Sequence, residues 1–265
     1  MSIGEQKQYS IRDRYIQDSG KVFLTGVQAL ARLPIQQLRT DRHKGLNTAS
    51  FLAGYPGSPL AGLNFEIENA KNLVPDLPIV HRPLLNEEHG ATAVMGSQLA
   101  AEQQDCAFDG IVGFWYGKAP GLDRAGDALR HAVFTGTSRL GGAVAIVGDD
   151  PAAKSSTLPS SSDATLFDLH MPILYPGDVQ EILTLGMHAV SLSRLTGAWT
   201  ALKVVDAVAD GSGTIDLAST IIEPIVPNLE IEGVQYEHRP DAKLLPPNNL
   251  ALEKDLRVVR SELVR

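Results

Sequence analysis

Short continuous apolar runs alternate along the chain with longer stretches in which apolar residues recur at helical spacing. Val27, Leu30, Ala31, Ile35 and Leu38 predict a helix, with a kink at Pro34, after a short strand or helix entry at 21–25. A compact strand over 48–53 runs into Gly54-Tyr55-Pro56-Gly57-Ser58-Pro59, whose glycines and prolines demand a tight turn. A helix over about 60–73 follows. The unit then repeats: strand 79–82 and helix 87–104, strand 110–115 and helix 123–135, then strand 142–147 and a Ser-rich loop. A short helix at 164–169, a brief strand at 173–175, a strong amphipathic helix over 178–195 and a last strand at 200–205 complete the series. Strands alternating with helices of this length predict an α/β fold: a doubly wound, mostly parallel sheet with helices on both faces.

The pattern also divides the chain. Residues 1–20 read as a polar arm, helical around 11–16, and 21–213 as the α/β domain. From 214 the texture changes to Pro-broken extended segments and a charged helical pattern over 250–265, which reads as a linker and the start of a further domain. Composition, with 43% hydrophobic and 20% charged residues among 265, is that of an ordinary globular protein. A net charge of −8 without long like-charge blocks argues against nucleic acid and anionic membranes as partners. Cys106 is the single cysteine, so neither an intrachain disulfide nor a cysteine-built cluster is available. The polar first 20 residues and the lack of a long apolar run predict a cytoplasmic protein.

In a parallel sheet the segments 54–59, 84–90, 116–127 and 148–163 all gather at the carboxyl edge of the strands, where ligands bind. None is a dinucleotide or phosphate-loop fingerprint, and HExxH and GxSxG are absent. His89, His131, His170 and His188 lack metal-ligand spacing and read as packed or solvated. The stretch from Asn86 through Glu87, Glu88 and His89 to Gly96 opens an alanine-rich helix. Asn86 suits a cap, and acidic residues are stabilised at a helix start by roughly 0.3–1 kcal/mol each.

These segments carry a resemblance. Gly54-Tyr55-Pro56-Gly57-Ser58-Pro59 resembles the YPG(T/S)P turn of the 2-oxoacid:ferredoxin oxidoreductases. Asn86-Glu87 with Ala93-Val94-Met95-Gly96 is similar to their acidic segment and A-V-x-G helix. Gly117-Lys118-Ala119-Pro120-Gly121-Leu122-Asp123 and Asp149-Asp150-Pro151 with Ser155-Ser156 resemble the M-K-x-x-G-L-N and D-D-P-G-x-x-S-S stretches of the indolepyruvate members. Order and spacing agree over roughly 20–205, and the segment 238–247 resembles the linker of the long fused members.

The resemblance implies the pyrimidine-binding domain of an enzyme that uses thiamine diphosphate to decarboxylate an aryl 2-oxoacid oxidatively, giving acyl-CoA and reduced ferredoxin. In thiamine enzymes a carboxylate hydrogen-bonds a ring nitrogen of the cofactor's pyrimidine. The family's Glu stands nine residues before the glycine of its helix, which selects Glu87 over Glu88. The two side chains point ~100° apart around a helix, so only one can face a cofactor. Tyr55, Pro56 and Gly57 are implied cofactor contacts, and Ser58 and Lys118 substrate contacts. A turn serine bonded to its own backbone and a solvated loop lysine are the plain alternatives for the last two. Ser155 and Ser156 are further candidates, and Asp149 and Asp150 also read as turn caps. Mg²⁺ and the iron–sulfur clusters would sit on domains outside this sequence, because it lacks the GDG…N motif and the cysteines. The expected assembly is a dimer with a diphosphate-binding domain or subunit, serving a 2-oxoacid, CoA and ferredoxin. The chain alone is expected to be inactive. The rival expectations are a half-site of a thiamine-dependent decarboxylase or transketolase-like enzyme, and a non-catalytic assembly module.

Overall fold

The computed structural model describes residues 9–153, 158–225, 228, 230–231, 234–235 and 239. Ser155, Ser156 and the stretch 240–265 lie outside the described residues. The arm contributes α1 (Asp13–Ile16), followed by β1 (Lys21–Thr25) and α2 (Gly26–His43). α2 opens on a capping box: the Thr25 hydroxyl accepts the Gln28 N–H, and the Gln28 carboxamide accepts the Thr25 N–H. It continues as one helix through Pro34. Then follow β2 (Thr48–Gly54), α3 (Leu63–Leu73), β3 (Ile79–Pro83), α4 (Glu87–Ala101), β4 (Gly110–Lys118), α5 (Ala119–Arg124) and α6 (Gly126–Thr135). The series closes with β5 (Ala143–Asp149), α7 (Asp163–Asp168), β6 (Ile173–Leu174), α8 (Val179–Thr196), β7 (Thr200–Val205), α9 (Asp206–Ala209) and β8 (Ser212–Asp216). Two-residue strands at Glu230–Ile231 and Val234–Gln235 pair with each other.

Six strands form one parallel sheet in the order β3-β2-β4-β5-β7-β6, so the expected doubly wound α/β architecture holds. Side chains alternate across each strand and build two cores. On one face Leu52, Val112, Phe114, Ile146 and Leu202 pack with Leu30 and Leu33 of α2, Ile67 of α3 and Leu183 of α8. On the other, Ala53, Trp115, Ala145, Val147 and Ala201 pack with Ala91 and Val94 of α4 and Leu129 of α6. The small residues of this second face let α4 sit close: a Cβ on Gly90 would stand 2.8 Å from the Gly54 Cα. That approach brings the start of α4 over the end of β2.

Several expectations change. β1 is a strand but stays out of the main sheet, pairing antiparallel with β8 from Lys21↔Asp216 to Thr25↔Ser212. The boundary drawn at 213–214 falls inside β8, and Ile215, Leu217 and Thr220 beyond it are buried. The stretch between the expected strand 110–115 and helix 123–135 is itself regular: β4 runs on to Lys118, α5 follows at once, and α6 begins at Gly126. Among the described residues no helix is long and apolar enough to cross a membrane.

Candidate active site at the carboxyl edge

The chain leaves β3 at Pro83 and enters α4 at Glu87. Asn86 caps the helix, its Oδ1 accepting the His89 N–H at 2.8 Å. Glu87 is 7% exposed, whereas Glu88 on the next position faces solvent. The indole N–H of Trp115, from the neighbouring β4, donates to the Glu87 carbonyl at 2.8 Å and holds this first turn in place. The side chain lies over two glycines. A Cβ on Gly121 would stand 2.4 Å from Oε1 of Glu87, and one on Gly117 3.3 Å from its Cγ. These glycines leave the space that the carboxylate fills, and no described residue donates a hydrogen bond to it. Unlike those of Asp150, its oxygens are not fully enclosed, so the largely buried side chain keeps its carboxylate end open to water or a ligand.

The turn after β2 reaches the same place. The Tyr55 N–H donates to the Tyr116 carbonyl at 3.1 Å, and the Leu84 N–H to the Gly54 carbonyl at 3.1 Å, so the ends of β2, β3 and β4 are tied together. Position 54 has to be glycine, because a Cβ would stand 2.1 Å from the Tyr116 carbonyl oxygen. A Cβ on Gly57 would be 2.8 Å from Cδ of Lys118, so the lysine stem runs along the turn. Tyr55 is exposed, Pro56, Gly57, Ser58 and Lys118 are half-buried, and Pro59 packs against Gly148 at the end of β5. The Ser58 hydroxyl makes no hydrogen bond within its turn, and Lys118 forms no ion pair with a described residue. Contacts therefore run from Gly57 through Lys118 and Gly117 to Glu87, joining three of the four segments.

The fourth segment behaves differently at its two acids. Asp149, fully buried, accepts the Ser162 N–H at 3.0 Å and the Ser162 hydroxyl, and pairs with Lys203 at 3.3 Å. It thereby ties the start of the Ser-rich loop to its end. Lys203 also meets Asp163 at 2.5 Å and lies 4.9 Å from the centre of the Tyr175 ring. Burial alone would lower the lysine's pKa, but the Asp163 and Asp149 carboxylates outweigh it and hold it above the ordinary value. Asp150, 1% exposed, has neither carboxylate oxygen hydrogen-bonded to a described residue. Lys203 was passed over in the sequence, although a lysine inside the apolar run Thr200–Val205 is itself a signal of a buried partner. His89, His131, His170 and His188 are all exposed, and none joins the cluster.

The architecture defines a class: an α/β protein with a six-stranded parallel sheet, helices on both faces and its longer loops gathered beyond the strand ends. No family model matches the chain. The solved 2-oxoglutarate:ferredoxin oxidoreductase from Magnetococcus marinus, described with 2-oxoglutarate, coenzyme A and succinyl-CoA bound, superposes with a TM-score of 0.64 at 14% identity. The match covers 93% of this chain and 45% of that one. Among curated proteins, the indolepyruvate oxidoreductase subunit IorA of Methanothermobacter thermautotrophicus is 28% identical over 207 residues, 78% of this chain and 30% of the relative. The subunit of the same name from Methanothermobacter marburgensis is 24% identical over 213 residues, 79% of this chain and 31% of the relative. The chain is thus similar in sequence to indolepyruvate oxidoreductase subunits and in fold to a 2-oxoacid:ferredoxin oxidoreductase, and it spans less than a third of the length of the two curated relatives.

Proposed function

We propose that this chain supplies the pyrimidine-binding part of a thiamine diphosphate-dependent oxidoreductase acting on an aryl 2-oxoacid of the indolepyruvate type. The observation that carries the reading is the Glu87 carboxylate, largely buried, without a donor, and housed by Gly117 and Gly121. A ring nitrogen that shares a proton would complete its hydrogen bonding, so the residues present fit the cofactor's pyrimidine. Thiamine diphosphate, when bound, supplies the electron sink for loss of carbon dioxide from a 2-oxoacid. Glu87 would hold a proton at the pyrimidine edge, and the turn of Tyr55, Pro56 and Gly57 would adjoin the cofactor. The Ser58 hydroxyl and the Lys118 ammonium, both uncommitted, meet the substrate carboxylate by a hydrogen bond and by charge. The names of the two curated relatives favour an indolepyruvate-type substrate.

In this reading Mg²⁺, the diphosphate site and the iron–sulfur clusters that pass electrons to ferredoxin belong to further domains or subunits, in a cytoplasmic, dimeric assembly that also takes CoA. Co-expression with a diphosphate-binding partner tests it. Saturable thiamine diphosphate binding by the complex, with no 2-oxoacid oxidation by the chain alone, is the predicted result. A complex that assembles and binds no cofactor would instead make the chain an assembly module.

A further inference from the structure

Beneath the Gly54–Pro59 turn, on the face away from Glu87, three polar side chains line up through the core. Glu68 comes from α3, His81 from β3 and Tyr116 from β4. The His81 Nδ1 lies 2.8 Å from Oε1 of Glu68, and its Nε2 3.0 Å from the Tyr116 hydroxyl. His81 and Tyr116 are fully buried side chains or nearly so, whereas Glu68 is 44% exposed at the solvent end. β2 lies between β3 and β4, with Leu52 beside His81 and Gly54 beside Tyr116. The phenol reaches His81 across β2, over Gly54, where a Cβ would stand 2.9 Å from the ring.

Hydrogen-bonding capacity fixes the protons. The ionised Glu68 only accepts, so Nδ1–H donates to it; Nε2 then accepts the Tyr116 O–H. This order requires a neutral imidazole. A protonated His81 would present N–H to both neighbours, and the phenol hydrogen would lose its acceptor in the core. Tyr116 also holds the turn, through its carbonyl to the Tyr55 N–H and its ring beneath Gly54. The other charges facing His81 are Lys71 of α3, itself paired with Glu68 at 3.1 Å, and its chain neighbour Arg82.

We propose that Glu68, His81 and Tyr116 form a proton-ordered strut that positions the Tyr55–Ser58 turn, so that the turn is in register for its ligand only while His81 is neutral. Its relevance to a ligand rests on the function proposed above; the strut itself does not. Glu68, His81 and Tyr116 are positioning residues, acting on the site through the backbone of the turn.

The test is nuclear magnetic resonance on the unliganded chain, following the His81 ring and the Tyr55 and Gly57 amides through a pH titration. The strut predicts a neutral His81 at pH 7.5 with hydrogen on Nδ1, and turn amides that shift with the same midpoint as the ring. Tyr116→Phe removes the donor that favours the neutral ring, so the His81 midpoint rises and the turn amides cease to follow it. Glu68→Gln removes the anion that favours the charged ring, so the midpoint falls while the amides still follow. Opposite shifts in the two variants separate a proton-ordered strut from mere packing, which would move both alike. Turn amides indifferent to the His81 midpoint, or midpoints moving the same way, would overturn the proposal. Cofactor binding enters none of these measurements, so a failure of the functional reading remains distinguishable.

Discussion

The amino edge of the sheet holds a buried acid that is fully paired, whereas the carboxyl edge holds one paired acid, Asp149, beside two carboxylates that are not. At the amino edge Asp41, 1% exposed, receives both ends of the Arg194 guanidinium at 2.7 Å, the Thr48 hydroxyl at 2.6 Å and the Gln37 amide at 2.8 Å. At the carboxyl edge neither the Asp150 nor the Glu87 carboxylate receives a hydrogen bond from a described residue. The same fold that saturates one acid leaves two others bare, so packing alone does not account for the difference. A saturated acid holds elements together. A bare one adds nothing to the fold's stability, and in a crevice beyond parallel strands it is available to a ligand.

Breaking the saturated end should cost most. Arg194→Met strands the Asp41 charge and is expected to lower unfolding free energy by about 3–5 kcal/mol, read from the denaturant midpoint. Asp150→Asn should act with the opposite sign. Relieving a buried, unpaired carboxylate is expected to raise stability by about 1–3 kcal/mol in the same assay. Gly121→Ala pushes a methyl group to 2.4 Å from Oε1 and 2.6 Å from Cγ of Glu87, so the flexible side chain has to turn away as a whole. Stability should then change by less than about 1 kcal/mol, while thiamine diphosphate affinity in the assembled enzyme falls by about tenfold or more.

The smallest effect is a pH dependence. Burial holds the His81 pKa below its ordinary value, with the Glu68 hydrogen bond and charge only partly opposing. The unfolded ring therefore takes up a proton first, and stability is lost as the pH falls from ~6.5 through the lower folded value. The Glu68 carboxyl follows at lower pH: burial raises it, but hydrogen bonds with His81 and Lys71 outweigh this and leave it below its ordinary value. Its stabilisation is likewise lost on acidification. A melting temperature flat between pH 7.5 and 5 would contradict this assignment.

Much of the fold was legible because each α/β unit writes its own periodicity: apolar runs such as Thr200–Val205, then helical spacing as in Val179–Thr196. The choice of Glu87 as the inward acid was legible too, since neighbouring helix positions diverge by ~100° and only one can turn inward. The ribbon of β1 with β8 was not. Lys21 and Asp216 pair across nearly the whole domain, and no local pattern announces a partner so distant. The orphan state of Asp150 was hidden for the same reason, as it depends on what packing brings near. The Lys203 partnership was half visible: the residue type gave warning of a partner, but only the crossing of β5, β7 and α7 supplied Asp149 and Asp163.

The central claim is that the uncommitted Glu87 carboxylate is the cofactor's partner, whereas Glu88 one position on is a solvated helix-start charge. The most direct measurement compares thiamine diphosphate binding and 2-oxoacid turnover in the assembled enzyme carrying Glu87→Gln or Glu88→Gln. The account predicts a loss of turnover of about a hundredfold or more for Glu87→Gln, with unchanged folding, and little effect for Glu88→Gln. Equal turnover in the two variants, or a larger loss for Glu88→Gln, would contradict it.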